Sequence, residues 1–286
     1  MITSSRRVRA PAKLNIRLKI TGRRPDGYHS LVSIMVPVDL SDVLELKAPY
    51  GNRIEIQCRG KNVPSDESNL AFRAAKSFMS RLDLKDGVSI HLEKKIPVAA
   101  GLGGGSSDAA AVILALNDIY SRPLSLSDLH RIAVGIGADV PFFLEPKPSL
   151  ATGIGDILEP LDQWPELWYV IVTPPIHVST SWVYGNLKLE LTTGEYDYIL
   201  SVLKNDNFVI SRILENDLEK VTSASFPIIS TIKKALIDRG AEGAIMSGSG
   251  PSVFGLFSSH GEAESAKESL VSRDLGDIFV VRGGGT

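Results

Sequence analysis

Cysteine is almost missing from this chain. Cys58 stands alone among 286 residues, which excludes an internal disulfide and a cysteine-built zinc site. Histidine is sparse as well, with five residues scattered from His29 to His260 and no HExxH spacing. No apolar run approaches the length of a membrane span, and the basic start at Arg6, Arg7 and Arg9 lacks the apolar stretch of a signal peptide. Charge of one sign is not in excess. Lys and Arg number 31 against 33 Asp and Glu, a net charge of -2, which argues against a nucleic-acid footprint or a polybasic membrane patch. Together these shortages lead us to expect a small-molecule partner, no nucleic acid, no membrane, and a monomer or weak homodimer. The expected compartment is a reducing cytoplasm, or a plastid-like stroma if a transit peptide has been removed.

What is present is enough apolar material for two domains: 43% of residues are hydrophobic and 22% charged, an ordinary balance for a globular chain. Strands are predicted at Leu14–Ile20, Leu31–Leu40, Val43–Lys47, Ile54–Cys58 and Val88–Leu92, where residues alternate or run apolar. Helices are predicted at Asn69–Leu82, where Leu70, Ala74, Phe78 and Leu82 recur at helical spacing, and at Asp108–Tyr120. A further helix capped by Ser127 would run through Val134. Pro160, Trp164 and Pro165 mark a domain boundary, giving residues 1–162 and 163–286. Beyond it come a strand at Trp168–Thr173 and helices at Tyr196–Leu203, Phe208–Leu214 and Ile228–Arg239. Strands at Gly243–Met246 and Val253–Phe257, a helix at Glu262–Val271 and a strand at Ile278–Val281 follow. The mixture of hairpins and helices reads as α+β.

The most informative segment is KKIPVAAGLGGGSSDAA, Lys94–Ala110. A strand enters it and a helix leaves it. Gly101, Gly103, Gly104 and Gly105 carry no side chains, so backbone N–H groups approach an anion closely, and Ser106 and Ser107 stand where the helix begins. The unpaired N–H groups and positive dipole end of that helix suit a polyphosphate. The pattern is not a Walker A loop, because no Lys follows the glycines, and not a GxGxxG fingerprint, because Ser106 stands where the last Gly is needed. Protein-kinase HRD and DFG signatures are missing.

This segment resembles the second motif of the GHMP kinases. APAKLNIRLKI, Ala10–Ile20, resembles their first motif, and GAIMSGSGPSVFGLF, Gly243–Phe257, their third. GRRPDGYHSL, Gly22–Leu31, together with GADVPFFL, Gly137–Leu144, and ENDLE, Glu215–Glu219, narrows the likeness to members acting on a diphosphocytidyl methylerythritol in the non-mevalonate isoprenoid pathway. The resemblance implies a two-domain GHMP kinase fold. Its N-terminal domain would be like domain 2 of ribosomal protein S5 and its C-terminal domain ferredoxin-like, with ATP and substrate in the cleft between them. It also implies ATP-dependent phosphorylation of the substrate's 2-hydroxyl with Mg²⁺.

Residue by residue, the resemblance assigns Asp139 as general base and Lys13 as its electrostatic partner. By pattern alone, Lys13 shares a strand face with Asn15, and Asp139 among small and apolar neighbours is either a cap or a functional group. The implied ATP-binding set is Pro97, Val98, Ala99, Ala100, Gly101, Leu102, Gly103, Gly104, Gly105, Ser106 and Ser107, with Asn69 and Lys94 bordering the adenine. Ser106 or Ser107 is the expected hydroxyl near magnesium. The implied substrate-binding set is Asn15, Tyr28, His29, Asp139 and Tyr184. Tyr28 can stack on a planar base, and Tyr184 or Trp182 would supply the other face. The chain departs from the family pattern at Ala99, where Gly is more common and where Ala is tolerable if φ is negative. It also departs at Glu145–Pro148, which the prolines should stiffen, and at Asp156, where Glu is common.

Overall fold

The structure is a computed structural model, and it describes residues 3–60, 62–188, 194–203 and 209–284. Two compact units emerge, each assembled from separated segments. Unit 1 comprises Met1–Ala12, Leu40–Val98 and Gly103–Pro146; unit 2 comprises Lys13–Asp39, Ala99–Leu102 and Lys147–Thr286. The long strands β1 (Ser4–Arg23) and β2 (His29–Ala48) each contribute residues to both units. The two strands predicted in Leu31–Lys47 are thus one continuous strand.

Unit 1 continues with β3 (Ile54–Arg59), α1 (Leu70–Arg81), β4 (Val88–Glu93), α2 (Gly104–Ile119) and α3 (Leu126–Ile136), and ends in a 3₁₀ turn, Pro141–Leu144. β4 is central here: it runs parallel to β3, with Ile56 opposite Ile90, and antiparallel to β2, with Leu44 opposite Leu92. α1 begins where Asn69 accepts the Ala71 N–H at 2.9 Å, and it packs Ala71, Ala74, Ala75, Phe78 and Met79 against α2. α2 buries residues all round because Ala109, Ala110, Ala111 and Ala115 let neighbours approach from several sides. α3 is capped by Ser125, not Ser127. Ser125 and Asp128 form a reciprocal capping box, so the helix starts two residues earlier than the sequence suggested.

Unit 2 contains β5 (Ser149–Thr152), β6 (Ile157–Pro160), β7 (Leu167–Thr173), α4 (Thr180–Gly185), α5 (Glu195–Leu203) and β8 (Glu215–Asn216). It closes with α6 (Asp217–Ser225), α7 (Ile228–Ile237), β9 (Gly243–Met246), β10 (Val253–Phe257), α8 (His260–Val271) and β11 (Asp277–Gly283). The strands β11, β7, β10 and β9 lie side by side and all antiparallel. Val170, Val172 and Phe257 from this sheet join Ile232 and Leu236 of α7 and Ala263, Ala266 and Leu270 of α8 in one buried cluster. The helix predicted at Phe208–Leu214 is a short 3₁₀ turn, Ile210–Ile213, and Phe208 lies outside the described residues. Among the described residues no helix is long and apolar enough to cross a membrane.

Candidate active site

The first motif is a strand with two buried faces. Leu14, Ile16, Leu18 and Ile20 fill one face of β1, and Lys13, Asn15, Arg17 and Lys19 occupy the other, none more than 8% exposed. Buried cations need anionic partners. Arg17 donates to Glu195 and pairs with Glu215 at 2.8 Å, and Lys19 bridges Glu215 at 2.6 Å and Asp217 at 2.7 Å. Burial pushes the Glu215 carboxyl up, but the Lys19 and Arg17 charges outweigh it and leave the pKa below its ordinary value. Lys13 donates to the side-chain oxygen of Asn15, whose Nδ2 donates to Ser33 Oγ at 2.8 Å.

In unit 2 the third motif grips the middle of the glycine-rich loop. Ser247 Oγ donates to the Gly101 carbonyl at 2.9 Å and accepts the Asn15 backbone N–H at 3.2 Å, and the Ser252 N–H donates to the Ala100 carbonyl at 3.2 Å. Gly101, at φ 77, lies so close that an added Cβ would sit 2.1 Å from the Ser247 carbonyl oxygen. Ala99 has φ 54, so the condition for an unstrained alanine, a negative φ, is not met. Its methyl group is therefore held in a region that costs an L-residue roughly 1–2 kcal/mol.

In unit 1 the loop runs straight into α2. The helix begins at Gly104, inside the glycine run and four residues before the predicted start at Asp108, and the Ser107 N–H donates to the Gly103 carbonyl at 2.9 Å. No side chain caps this end and no acidic residue occupies its first turn, so its leading N–H groups and dipole are available to an anion. The Ser107 hydroxyl is buried without a hydrogen-bond partner, an arrangement that calls for a ligand oxygen or cation. Gly104 also meets a packing constraint. Its Cβ would meet Ile96 Cγ2 and Lys94 Nζ at 2.9 Å, so the missing side chain makes room for the strand-exit residues.

Lys94 and Asn69 are both engaged within unit 1. Asn69 donates to the Pro64 carbonyl at 2.8 Å besides capping α1. Lys94 Nζ lies between the carboxylates of Asp42 and Asp108, at 2.6 Å from the latter, and Asp42 also accepts the N–H groups of Lys95 and Ile96. One ammonium thus ties the entry of the loop to the helix that leaves it. Asp108 is the weaker-held anion, because its second oxygen is buried without a partner. Burial and the Asp42 charge, opposed by Lys94, push its pKa up to about 7. A carboxyl raised on folding binds more protons in the native than in the unfolded chain, so its contribution to stability is complete below its unfolded pKa and is lost as pH rises to about 7. Urea unfolding from pH 4 to 8 should therefore show wild type losing on the order of 4 kcal/mol relative to Asp108→Asn across that window, about three pH units at roughly 1.4 kcal/mol each. Parallel pH profiles for the two proteins would refute a titrating Asp108.

Asp139 lies in the turn joining α3 to Pro141–Leu144, and both of those elements pack on α2. The Val140 N–H closes the turn on the Gly137 carbonyl at 3.1 Å and leaves Asp139 half-buried. In unit 2, His29 and Tyr184 come together with ring centroids 5.2 Å apart. Burial, with the nearby Arg23 charge, holds the His29 pKa below its ordinary value, so a neutral ring with one donor and one acceptor is favoured. Tyr28 is 59% exposed and free to stack, whereas the Trp182 ring packs edge-on against Phe226 at 6.2 Å. The ring beside His29 is therefore that of Tyr184. Sequence reasoning missed the anionic partners Glu195, Glu215 and Asp217; the K-x-N-x-R-x-K alternation on β1 was the available signal.

Residues 69–146 match the GHMP kinases N terminal domain, and residues 201–275 match the GHMP kinases C terminal domain. The chain belongs to the GHMP kinases. Within that family it is similar to the 4-diphosphocytidyl-2-C-methyl-D-erythritol kinase of Syntrophotalea carbinolica, at 46% identity over 95% of this chain and 96% of the relative. Its likeness to the protein of that name from Citrifermentans bemidjiense is 48% over 91% and 92%. A crystal structure of 4-(cytidine 5'-diphospho)-2C-methyl-D-erythritol kinase superposes with a TM-score of 0.82 at 36% identity, covering 98% of this chain and 100% of the other. A homoserine kinase from Cytophaga hutchinsonii shares the fold, with a TM-score of 0.76 at 23% identity over 96% and 94%.

Proposed function

We propose that this protein transfers the γ-phosphoryl group of ATP to the 2-hydroxyl of 4-diphosphocytidyl-2-C-methyl-D-erythritol, in the non-mevalonate route to isoprenoid precursors. The observation that carries this reading is the near full-length likeness to kinases named for that substrate, at 46% and 48% identity. The proposed domain division stays at 162/163, and the two family matches fall on either side of it.

The chemistry assigned to the residues follows from phosphoryl transfer. The substrate oxygen attacks the γ-phosphorus, ADP leaves, and the hydroxyl proton must go to a base. Asp139 accepts that proton. Lys13, fixed by Asn15, supplies positive charge to the transferring phosphoryl oxygens. Residues Pro97–Ser107 hold the phosphates through backbone N–H groups and the uncapped start of α2, and Asn69 and Lys94 border the adenine. Magnesium fits the lone Ser107 hydroxyl, with Ser106 next to it, because this ion keeps most of its waters and needs few protein ligands. When bound, it neutralises charge on the β- and γ-phosphates.

Tyr28, His29 and Tyr184 are assigned to cytosine, Tyr28 and Tyr184 by stacking and His29 by hydrogen bonding. Wild-type protein with MgATP and a panel of cytidyl substrate, homoserine and mevalonate, read by mass spectrometry, should phosphorylate the cytidyl compound best. Preference for homoserine or mevalonate would overturn the substrate assignment. In the Tyr28→Ala/His29→Ala variant the KM for the cytidyl substrate should rise about 10- to 100-fold, since base stacking is worth about 1–3 kcal/mol, while the KM for ATP stays within about twofold. Equal rises in both constants would remove the turn from substrate recognition.

A further inference from the structure

The ENDLE segment contributes more than ion pairs to unit 2. Asn216, at the junction of β8 and α6, is buried and spends its whole amide on three backbone groups. Its oxygen accepts the Leu218 N–H at 2.9 Å, which caps α6. Its nitrogen donates to the carbonyls of Met246 and Gly248, each at 2.8 Å. Those two carbonyls flank Ser247, the residue that holds the Asn15 N–H and the Gly101 carbonyl. Glu219, one helical turn on, accepts the Met246 N–H at 2.8 Å from the same side. The turn is packed tightly enough to transmit a displacement: a Cβ on Gly248 would lie 3.3 Å from Asn15 Oδ1 and 3.4 Å from the Gly101 carbonyl oxygen.

We infer that Asn216 is a positioning residue for the phosphotransfer reaction. By clamping the carbonyls on both sides of Ser247, it sets the place of the Ser247 hydroxyl and thereby of Asn15 and Gly101. Neither substrate needs to touch Asn216. Its influence passes through two hydrogen bonds to the turn and two from the turn to the first and second motifs. The inference rests on the functional reading above for its catalytic consequence and on geometry alone for its structural one.

The cap and the clamp use different atoms of one amide, so substitution separates them. Asn216→Ser and Asn216→Asp both keep an oxygen able to cap α6, and neither can donate to both carbonyls. Serine is neutral and guards against the charge that aspartate adds beside Glu215 and Asp217. Steady-state kinetics on folded protein, with concentration corrected by unfolding curves, should show kcat reduced about 10- to 100-fold in both variants, as expected when reacting groups are misplaced by a fraction of an ångström or more. Both KM values should move much less. Protein labelled with ¹⁵N-glycine should show shifted amide signals for Gly101 and Gly248, with Gly51 in unit 1 unmoved. Wild-type kcat and unshifted Gly101 and Gly248 signals in Asn216→Ser would overturn the inference and leave Asn216 as a helix cap. A wild type inactive on every substrate of the panel would overturn the functional reading instead, while the glycine shifts would still decide the clamp.

Discussion

Asp139→Asn should fold and bind ATP like wild type yet lose about 10²–10⁴-fold in kcat, the usual contribution of a general base. Asparagine keeps the size and one carbonyl oxygen of the side chain but cannot accept the substrate proton. The turn that carries residue 139 is held by the Val140–Gly137 backbone bond and by packing of Pro141–Leu144 on α2. The loss should fall on kcat, and an unfolding curve measured alongside separates it from any change in stability. Rapid-quench measurement of the first turnover would assign it to the chemical step. Wild-type turnover in the purified variant would remove Asp139 from the mechanism.

Gly101→Ala should be nearly as damaging, by a different route. The new methyl would sit 2.1 Å from the Ser247 carbonyl oxygen, and φ 77 is unfavourable to any L-residue. Backbone lies on both sides of this contact, so neither partner can rotate away. The loop must separate from the 246–252 turn, breaking the Ser247–Gly101 and Ser252–Ala100 hydrogen bonds. We expect a destabilisation of about 2–4 kcal/mol and at least about a 100-fold weaker affinity for a non-hydrolysable ATP analogue by calorimetry. Unchanged affinity in a folded Gly101→Ala protein would mean that the grip of the third motif on the second is dispensable for nucleotide binding.

Much of the architecture was legible because it is local. Helical spacing in Leu70–Leu82, alternation in Val88–Leu92 and the apolar runs at Gly243–Met246 and Val253–Phe257 each placed an element close to its observed bounds. The failures have non-local causes. Ser41 and Asp42 looked like a break between two strands, yet Asp42 is retained inside β2 by Lys94 and two backbone N–H groups contributed from 52 or more residues away. The glycines at the start of α2 looked like loop because propensity disfavours them in helices, and packing against Ile96 and Leu70 overrides it. β5, β6 and β8 are only four, four and two residues long, too short to show a period. At the site, the motifs themselves were visible, but how they join was not. Ser247 reaches Gly101 across 146 positions of sequence, and Asn216 reaches Met246 across 30.

The two-faced strand β1 also governs which errors the chain can survive. Sheet side chains alternate with a period of two, so a register slip of one residue would exchange its faces. Lys13, Asn15, Arg17 and Lys19 would then enter the aliphatic layer, and Leu14, Ile16, Leu18 and Ile20 would confront Glu195, Glu215 and Asp217. Both halves of that exchange are forbidden by solvation, whereas in a strand with one wet face only one half would be. The charges along β1 therefore act as a key that fits in one position: they reject misalignment during folding, and they make this strand a place where evolution can replace residues but not insert or delete them.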